Sequence, residues 1–301
     1  MTKSKSPRTD LALEALDAAG GSAVGVKCEK TELDGMTVNR VRVTSDEGAR
    51  AIGRPRGLYV TIDAPLFRRD PSAAFSPAAQ AVAAELKKML PLAAGDGVLI
   101  VGLGNRAITP DALGPRAVAH TIVTRHLMHL IGGEKSSFRP VSAIAPGVMG
   151  TTGIETEDIV RAVVQRTSPA AVIAVDALAA RSLSRLASTF QLCDSGVSPG
   201  SGVGNRRAEL SRAALGIPVI AIGVPTVVDA VTLACDALET ALGRKDGSQK
   251  IEKAISSAGL ELLVTPREID ELISNAAKTV GYGINMALHG IRPDEITSLL
   301  S

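Results

Sequence analysis

The amino-acid sequence predicts an α/β fold in which a doubly wound, mostly parallel sheet carries helices on both faces. From residue 98 onward, apolar runs of four or five residues alternate with longer helical patterns, as they do when crossover helices join parallel strands. Hydrophobic residues make up 45% of the 301 residues and aromatic residues only 2%, so Ala, Val, Leu and Ile must fill the core. These residues suit strands that are buried on both faces.

The N-terminal part predicts less regular structure. Residues 1–10 form a polar extension, and residues 11–301 are expected to form a single α/β domain. Helices are predicted over 11–19 and 77–90, and strands over 36–43 and 58–62. The strands between about 24 and 63 have the weaker pattern, and we interpret them as an added N-terminal subdomain.

The remaining elements follow in alternation. Strands are predicted over 98–101, 141–144, 171–175, 190–192, 219–222 and 260–264. Helices are predicted over 110–131, 154–166, 180–186, 225–242 and 265–288, the last of them opened by a capping-box spacing at Thr265-Pro266-Arg267-Glu268.

Charge and cysteine content exclude several classes of protein. The 33 Lys and Arg residues nearly balance 31 Asp and Glu residues, so the net charge of +2 gives no strong attraction to nucleic acid or anionic lipid. The three cysteines, Cys28, Cys193 and Cys235, form no CxxC pair, which argues against a disulfide framework or a cysteine zinc site. Neither a secretory signal nor a membrane-spanning apolar run is present, so we expect a cytoplasmic protein without a membrane partner.

Two aspartates follow predicted strands of the parallel sheet. Asp111 comes after the strand at 98–101 and a short turn, and Asp176 directly follows the strand at 171–175. Reactive groups gather at the carboxyl ends of such strands, so the two carboxylates face one crevice if the strands are neighbours. Carboxylates that share a site push one pKa upward, which provides an acid and a base for activating water. Each aspartate also fits the simpler role of a helix cap or turn residue.

Two glycine-rich loops are further candidate sites. Gly102-Leu103-Gly104-Asn105 begins like a dinucleotide-binding loop, but Ala107 stands where the third glycine of that motif is required. The loop at 198–207 offers backbone amides and two arginines, Arg206 and Arg207, which suits either phosphate binding or a substrate-binding loop.

Other catalytic chemistries find little support. His120, His126 and His129 share a predicted helix but form no HExxH motif, so a zinc protease site is not expected. No GxSxG motif surrounds Ser182 or Ser195, so a serine nucleophile has no local signature.

Long stretches of the sequence resemble the germination protease family of spore-forming bacteria. The matching segments are VGLGN (101–105), TPDALGPRAV (109–118), FRPVSAIAPGVMGTTGIET (138–156), AVDALAARS (174–182), CDSGVSPGSGVGN (193–205), GIPVIAIGVPTVVDAV (216–231), LLVTPREID (262–270) and NMALH (285–289). The similarity runs from about residue 8 to the C-terminus.

This resemblance implies an atypical aspartic endopeptidase that is made as an inactive zymogen and degrades small acid-soluble spore proteins during germination. It also implies a fold related to the hydrogenase-maturation peptidases, a homotetramer and a location in the forespore and spore core. No cofactor, no metal and no direct contact with nucleic acid is implied. The family's catalytic aspartates fall on PDALGP and DALAARS, and are Asp111 and Asp176 here.

A zymogen processing site is also implied. Family members lose a short N-terminal segment by a cut after an acidic residue, and Arg8-Thr9-Asp10-Leu11-Ala12-Leu13-Glu14 matches that form, with the cut between Asp10 and Leu11. The family's substrate sites share the order acidic, apolar, Ala, any residue, Glu. We therefore interpret the propeptide, residues 1–10, as a substrate mimic held near the site, with Lys3, Lys5 and Arg8 facing the acidic crevice.

Several residues are assigned to substrate binding or to stabilising the oxyanion. They are Asn105, Arg181, Gly200, Gly202, Gly204 and Arg206, with Arg116 and Arg207 as further cations for an acidic substrate. Two other functions stay open on the sequence alone. One is a metal-dependent peptidase of the hydrogenase-maturation type with His120 or His126 as a ligand, and the other is a non-enzymatic nucleotide- or phosphate-binding module.

Overall fold

A computed structural model describes residues 9–131, 138–198, 208–242 and 262–300. Its strands are β1 (Val26–Leu33), β2 (Met36–Val43), β3 (Gly57–Asp63), β4 (Val98–Gly102), β5 (Val141–Ile144), β6 (Ala171–Ala180), β7 (Thr189–Cys193), β8 (Val219–Asp229) and β9 (Leu263–Val264). Within these residues the strands form one sheet in the order β1-β2-β3-β7-β8-β6-β4-β5, and β9 pairs with β8.

The sheet is mixed. Parallel pairing joins β8 to β6, β6 to β4 and β4 to β5, whereas the other pairs in the described part of the chain are antiparallel. The predicted α/β class is confirmed, but the expectation of a mostly parallel sheet was wrong. One cause is local: β1 and β2 are joined by Asp34 and Gly35, whose φ angles of 49° and 75° suit a two-residue hairpin turn.

The helices are α1 (Ala12–Ala18), α2 (Asp46–Ile52), α3 (Pro71–Met89), α4 (Leu113–Val118), α5 (Met128–Ile131), α6 (Met149–Thr152), α7 (Thr156–Thr167), α8 (Arg212–Leu215), α9 (Ala230–Leu242), α10 (Ile269–His289) and α11 (Pro293–Leu300). Short 3₁₀ turns cover Pro65–Arg68, Thr109–Asp111, Arg125–Leu127 and Leu183–Arg185. None of the helices in the described ranges is both long and apolar enough to cross a membrane.

Helices lie on both faces of the sheet, because successive strand residues point to opposite sides. On one face, residues such as Ile100 and Ile173 pack in a large apolar cluster with α3, α4 and α10. On the other face, Leu99 and Val172 pack with α7, and α1 and α2 cover the antiparallel strands. The parallel strands are therefore buried on both sides, as their apolar sequences require.

The long helix predicted over 110–131 was wrong. The chain instead forms a 3₁₀ turn, the short α4, a non-helical link, a second 3₁₀ turn and α5. In the link, the N–H of Thr124 donates to the carbonyl of Val141 at 3.1 Å, and Oγ1 of Thr124 accepts from the N–H of Val141 at 2.9 Å. Pairing with the start of β5 overrides the helical periodicity of a segment whose β-branched residues 121–124 favour helix only weakly.

Strands β6 and β8 extend well beyond their predicted ends. They pair in parallel from Val172 to Ala180, with a register shift between Leu178 and Ala179. The helices predicted over 180–186 and from 225 were therefore wrong in those places, since 183–185 is a single 3₁₀ turn and α9 begins at Ala230. Because β4 stops at Gly102, the extended ends of β6 and β8 project past it and form a wall beside the two aspartates.

Candidate active site

Asp176 lies inside β6, immediately after the last residue that pairs with β4. The strand continues for four more residues, so Asp176 marks the end of the β4 pairing rather than the end of its own strand. The residue is 7% exposed. Burial raises the pKa of Asp176 well above its usual range, and the charges of Asp111 and Asp10 add to the rise, while a hydrogen bond from the N–H of Ala177 opposes it. The raised pKa therefore favours the protonated form of the Asp176 carboxyl.

Asp111 closes the 3₁₀ turn that follows β4. Its Oδ2 accepts the N–H of Asn105 at 2.7 Å, and α4 begins at Leu113 without a side-chain cap. The carboxylate thus organises the turn after β4 and does not cap the helix. Gly104 has a φ of 107°, and a Cβ there would lie 2.0 Å from the carbonyl oxygen of Asp111 and 3.0 Å from its Oδ1. A side chain at position 104 would displace Asp111.

Close backbone packing holds this turn against β6. The N–H of Leu103 donates to the carbonyl of Val175 at 2.8 Å. A Cβ on Gly114 would lie 2.4 Å from that same carbonyl oxygen, and a Cβ on Gly102 would lie 2.3 Å from the carbonyl oxygen of Gly114. Helix α4 therefore meets the ends of β4 and β6 backbone to backbone, which glycine alone permits. This packing brings the charge of Asp111 near enough to act on Asp176.

A cavity of about 370 Å³ opens beside Asp176. Its walls include Asp176, Gln191 and Gly223 on three adjacent strands, together with Asp10 and Arg54. Asp111 is not among the described residues that line it. The cavity is thus reached directly by Asp176, and the charge of Asp111 in the neighbouring turn helps to raise the pKa of Asp176.

The chain's own residues 9–14, here called the N-terminal segment, reach this cavity at Asp10. The N–H of Asp10 donates to the carbonyl of Ala179 at 2.8 Å, and Oδ2 of Asp10 accepts from the N–H of Ala179 at 2.9 Å. Gln191 then contacts the segment twice: its Nε2 donates to the carbonyl of Asp10 at 3.0 Å, and its Oε1 accepts from the N–H of Ala12 at 2.8 Å. The bond between Asp10 and Leu11 is held between these two contacts.

The side chain of Glu14 is also held by several contacts. The residue is 4% exposed. Its carboxylate accepts the N–H groups of Arg181 at 2.7 Å and Ser182 at 3.0 Å, and Oε1 lies 3.3 Å from Nη1 of Arg185. The turn after β6 thus forms a receptor for this carboxylate.

The other end of the segment is held by an arginine and by apolar packing. Nη2 of Arg54 lies 3.9 Å from Oδ1 of Asp10 and also donates to the carbonyl of Thr9. Leu11 is fully buried beside Ala180, Leu186 and Val228. Asp10, Leu11, Ala12 and Glu14 are therefore each held by contacts with distant parts of the chain.

The remaining predicted residues fall in different places. Asn105 contacts Asp111 through its backbone. The guanidinium of Arg181 pairs with Asp236 at 2.7 Å, and the backbone N–H of Arg181 contacts Glu14 of the N-terminal segment. Arg116 donates to the carbonyl of Asp270 at 3.1 Å. The residues outside the described ranges are Lys3, Lys5, Arg8, Gly200, Gly202, Gly204, Arg206 and Arg207.

The candidate metal-binding histidines are not at the cavity. His120 stacks edge-on against Tyr282 with ring centroids 6.5 Å apart, and its pKa is lowered by burial and by the charge of Lys278. His126 is exposed in a 3₁₀ turn. Among the residues whose positions are described, no group of three His, Cys, Asp or Glu side chains could hold a metal ion.

Three residues that contact the N-terminal segment were not predicted from the sequence: Gln191, Arg54 and Arg185. Gln191 carried one usable signal, because it is a polar residue inside the buried strand TFQLC and such residues require a partner. The sequence gives no such signal for the two arginines, because an arginine that binds a buried carboxylate cannot be told from an exposed one by sequence alone.

The sequence is similar to one protein family and to individual members of it. A sequence model of the germination protease family matches residues 14–246. A germination protease from Caldanaerobacter subterraneus subsp. tengcongensis is 43% identical over 97% of this chain and 98% of that protein. Germination proteases from Clostridium perfringens, 41% identical over 93% of this chain and 94% of theirs, and from Priestia megaterium, 39% identical over 94% of each, are also similar.

Proposed function

This chain belongs to the germination protease family, and on that premise we propose that it is a zymogen whose aspartate pair cleaves small acid-soluble spore proteins during germination. Membership makes the chain a peptidase of spore germination that acts on protein. One observation supports the more specific proposal: the peptide bond after Asp10 is hydrogen-bonded in place at a cavity lined by the buried Asp176. A bond presented in this way is suited to cleavage by its own chain.

In the proposed mechanism, Asp176 supplies a proton and Asp111 accepts one. The raised pKa of Asp176 keeps its carboxyl protonated, and the charge of Asp111 contributes to that rise. Water adds to the carbonyl carbon of the scissile bond, its departing proton passes to Asp111, and the carbonyl oxygen receives the proton of Asp176. The hydrated intermediate then collapses: the C–N bond breaks as the leaving nitrogen receives a proton from Asp111, and the new carboxyl returns its O–H proton to Asp176. Acid–base catalysis of this kind is worth about 10²–10⁴ in rate.

The contacts of the N-terminal segment support the proposed substrate class. Arg54 is close to the acidic residue before the bond, and Arg185 with two backbone amides holds the glutamate four residues after it. A spore protein with the same order of residues would satisfy the same groups once the segment has left. From the family resemblance we also propose a hydrogenase-maturation-like ancestry of the fold, a homotetramer and a location in the spore core.

The proposal is tested with the purified full chain. Self-processing is followed by intact mass as the loss of residues 1–10, and cleavage of the peptide Thr-Glu-Phe-Ala-Ser-Glu is mapped by mass spectrometry. We expect Asp111→Asn and Asp176→Asn each to slow both reactions by at least 10²-fold. Asp158→Asn, at an exposed acid in the first turn of α7, is the matched control and should leave both rates unchanged. Near-parental rates in either site variant would refute the aspartate pair.

A further inference from the structure

We infer that Gln191 is a catalytic residue that donates a hydrogen bond to the carbonyl oxygen of the bond being cleaved, an inference that rests on the proposed peptidase function. Its position in the sheet is the first reason. Gly223 of β8 pairs with Asp176 on one side and with Gln191 on the other. Directly opposed residues of neighbouring strands project to the same face of a sheet. Asp176 and Gln191 therefore rise from one face with a glycine between them.

The glycine between them leaves room for a neighbouring side chain. A Cβ on Gly223 would lie 2.5 Å from Cγ and Cδ1 of Leu178, so the side chain of Leu178 lies over the glycine and would have to move to admit a Cβ there. Asp176, Gln191, Leu178 and Gly223 all line the cavity. A peptide bond held by Gln191 is consequently open to the cavity that Asp176 faces.

The orientation of the Gln191 amide follows from its partners. The N–H of Ala12 can only donate, so it must face Oε1 of Gln191. That contact turns Nε2 toward the carbonyl oxygen of Asp10, at 3.0 Å. Gln191 is 6% exposed, so water does not compete strongly for either bond. The side chain is thus a fixed donor aimed at the carbonyl that the mechanism attacks.

Such a donor acts where charge develops. When water adds to the carbonyl carbon, the π-electron pair of the C=O bond moves onto its oxygen, and an N–H already pointing at that oxygen stabilises the charge without further reorganisation. A carbonyl oxygen has two lone pairs, so it can accept from Gln191 and still receive a proton from Asp176. Removing one donor of an oxyanion site typically slows catalysis by about 10²–10³.

The test compares self-processing of the full chain in Gln191→Leu and Gln191→Glu between pH 4 and 8, each as a ratio to the parent at the same pH. We expect Gln191→Leu to be about 10²–10³ slower throughout. Gln191→Glu should be as slow near pH 8, where a carboxylate cannot donate, and should recover toward the parental rate as acid protonates it. Gln80→Glu, which adds the same charge at an exposed site on α3, is the control.

The outcomes distinguish the role of Gln191 from the proposed peptidase function. Recovery of Gln191→Glu at low pH supports donation to the carbonyl, because a residue that only accepts from Ala12 works equally well as a carboxylate. If both variants process within threefold of the parent while Asp176→Asn does not process, Gln191 is not catalytic and the proposed function stands. If Gln191→Leu fails to fold by circular dichroism, the pH response of the isosteric Gln191→Glu decides alone. A parent chain that cleaves neither itself nor the peptide overturns both proposals.

Discussion

Glu14 and Arg185 join the N-terminal helix to the turn that follows β6. Oε1 of Glu14 lies 3.3 Å from Nη1 of Arg185, and Nε of the same arginine lies 3.3 Å from Oδ1 of Asp63 on β3. Both carboxylates thus depend on one guanidinium. The N-terminal segment is held at its far end by this pairing. The proposed function therefore requires Glu14 to leave this receptor before a substrate in trans can occupy it.

Glu14→Gln is expected to weaken that hold. The variant keeps its shape but loses the ionic partner of Arg185 at a nearly buried position, which should cost about 1–3 kcal/mol in the free energy of unfolding. Self-processing should slow by about tenfold, because the scissile bond is then held less firmly. Intact mass against time and urea unfolding measure the two effects. Asp17→Asn, at an exposed acid on the same helix, is the control, and equal processing in the two variants would contradict the proposed role of Glu14.

Asp176 should make stability depend on pH. Its raised pKa means that the folded chain holds the proton more tightly than the unfolded chain does. The resulting stabilisation is fully present below the unfolded carboxyl pKa of about 3.9, and it is lost as pH rises through the higher folded value. Asp176→Asn should therefore have a higher Tm than the parent at alkaline pH, with the difference shrinking on acidification. Parallel curves of Tm against pH for the two proteins would contradict a raised pKa of Asp176 in the folded chain.

The centre of the fold was predictable because its strands are mostly apolar. The strand predicted at 141–144 has the observed bounds, and that at 98–101 extends by only one residue. Strands β4 and β6 are neighbours, which is the condition under which the strand-end rule predicts that Asp111 and Asp176 lie close together.

The remainder depends on contacts between distant parts of the chain. Strand β1 is exposed at seven of its eight residues and carries five polar or charged side chains, so its existence follows from pairing with β2 and not from its own pattern. Oγ1 of Thr265 donates to the carbonyl of Thr226 at 3.0 Å instead of forming the predicted capping box, and α10 begins only at Ile269. Gln191 meets a partner 181 residues earlier in the chain. Local periodicity carries no information about such pairs.

Arg40 and Glu85 connect the antiparallel strands to the helical layer. Nε of Arg40 on β2 donates to Oε2 of Glu85 on α3 at 3.1 Å, Nη2 donates to Oε1 at 2.5 Å, and Nζ of Lys88 donates to Oε1 at 2.7 Å. Burial raises the pKa of Glu85, but the hydrogen bonds of Arg40 and Lys88 outweigh it and leave the pKa below its usual value. Arg40→Met leaves this buried carboxylate without its main partner and should cost about 3 kcal/mol of unfolding free energy in urea.

The double variant Arg40→Met/Glu85→Leu is the control for that effect, because it removes the charge together with its partner. It should recover most of the loss, since apolar replacement of a buried ion pair is often nearly neutral. The depressed pKa of Glu85 also predicts a sign: its stabilisation is present above the unfolded carboxyl pKa and disappears as pH falls through the lower folded value. A single variant as stable as the parent would show that water already solvates Glu85.

Gly104→Ala, compared with a control glycine, tests whether self-processing depends on the position of Asp111 or only on the stability of the chain. At a φ of 107°, a Cβ on residue 104 would lie 2.0 Å from the carbonyl oxygen of Asp111, so the turn must move and carry the carboxylate with it. A displacement of about 1 Å costs roughly 10² in rate at a site that depends on alignment, and we expect self-processing to slow by at least that factor. Gly95→Ala is the matched control, because its φ of 82° imposes similar backbone strain while nothing lies within 4 Å of the added Cβ. Both variants should lose about 1–2 kcal/mol to strain, whereas only Gly104→Ala should lose processing, since only there does the added methyl group meet Asp111.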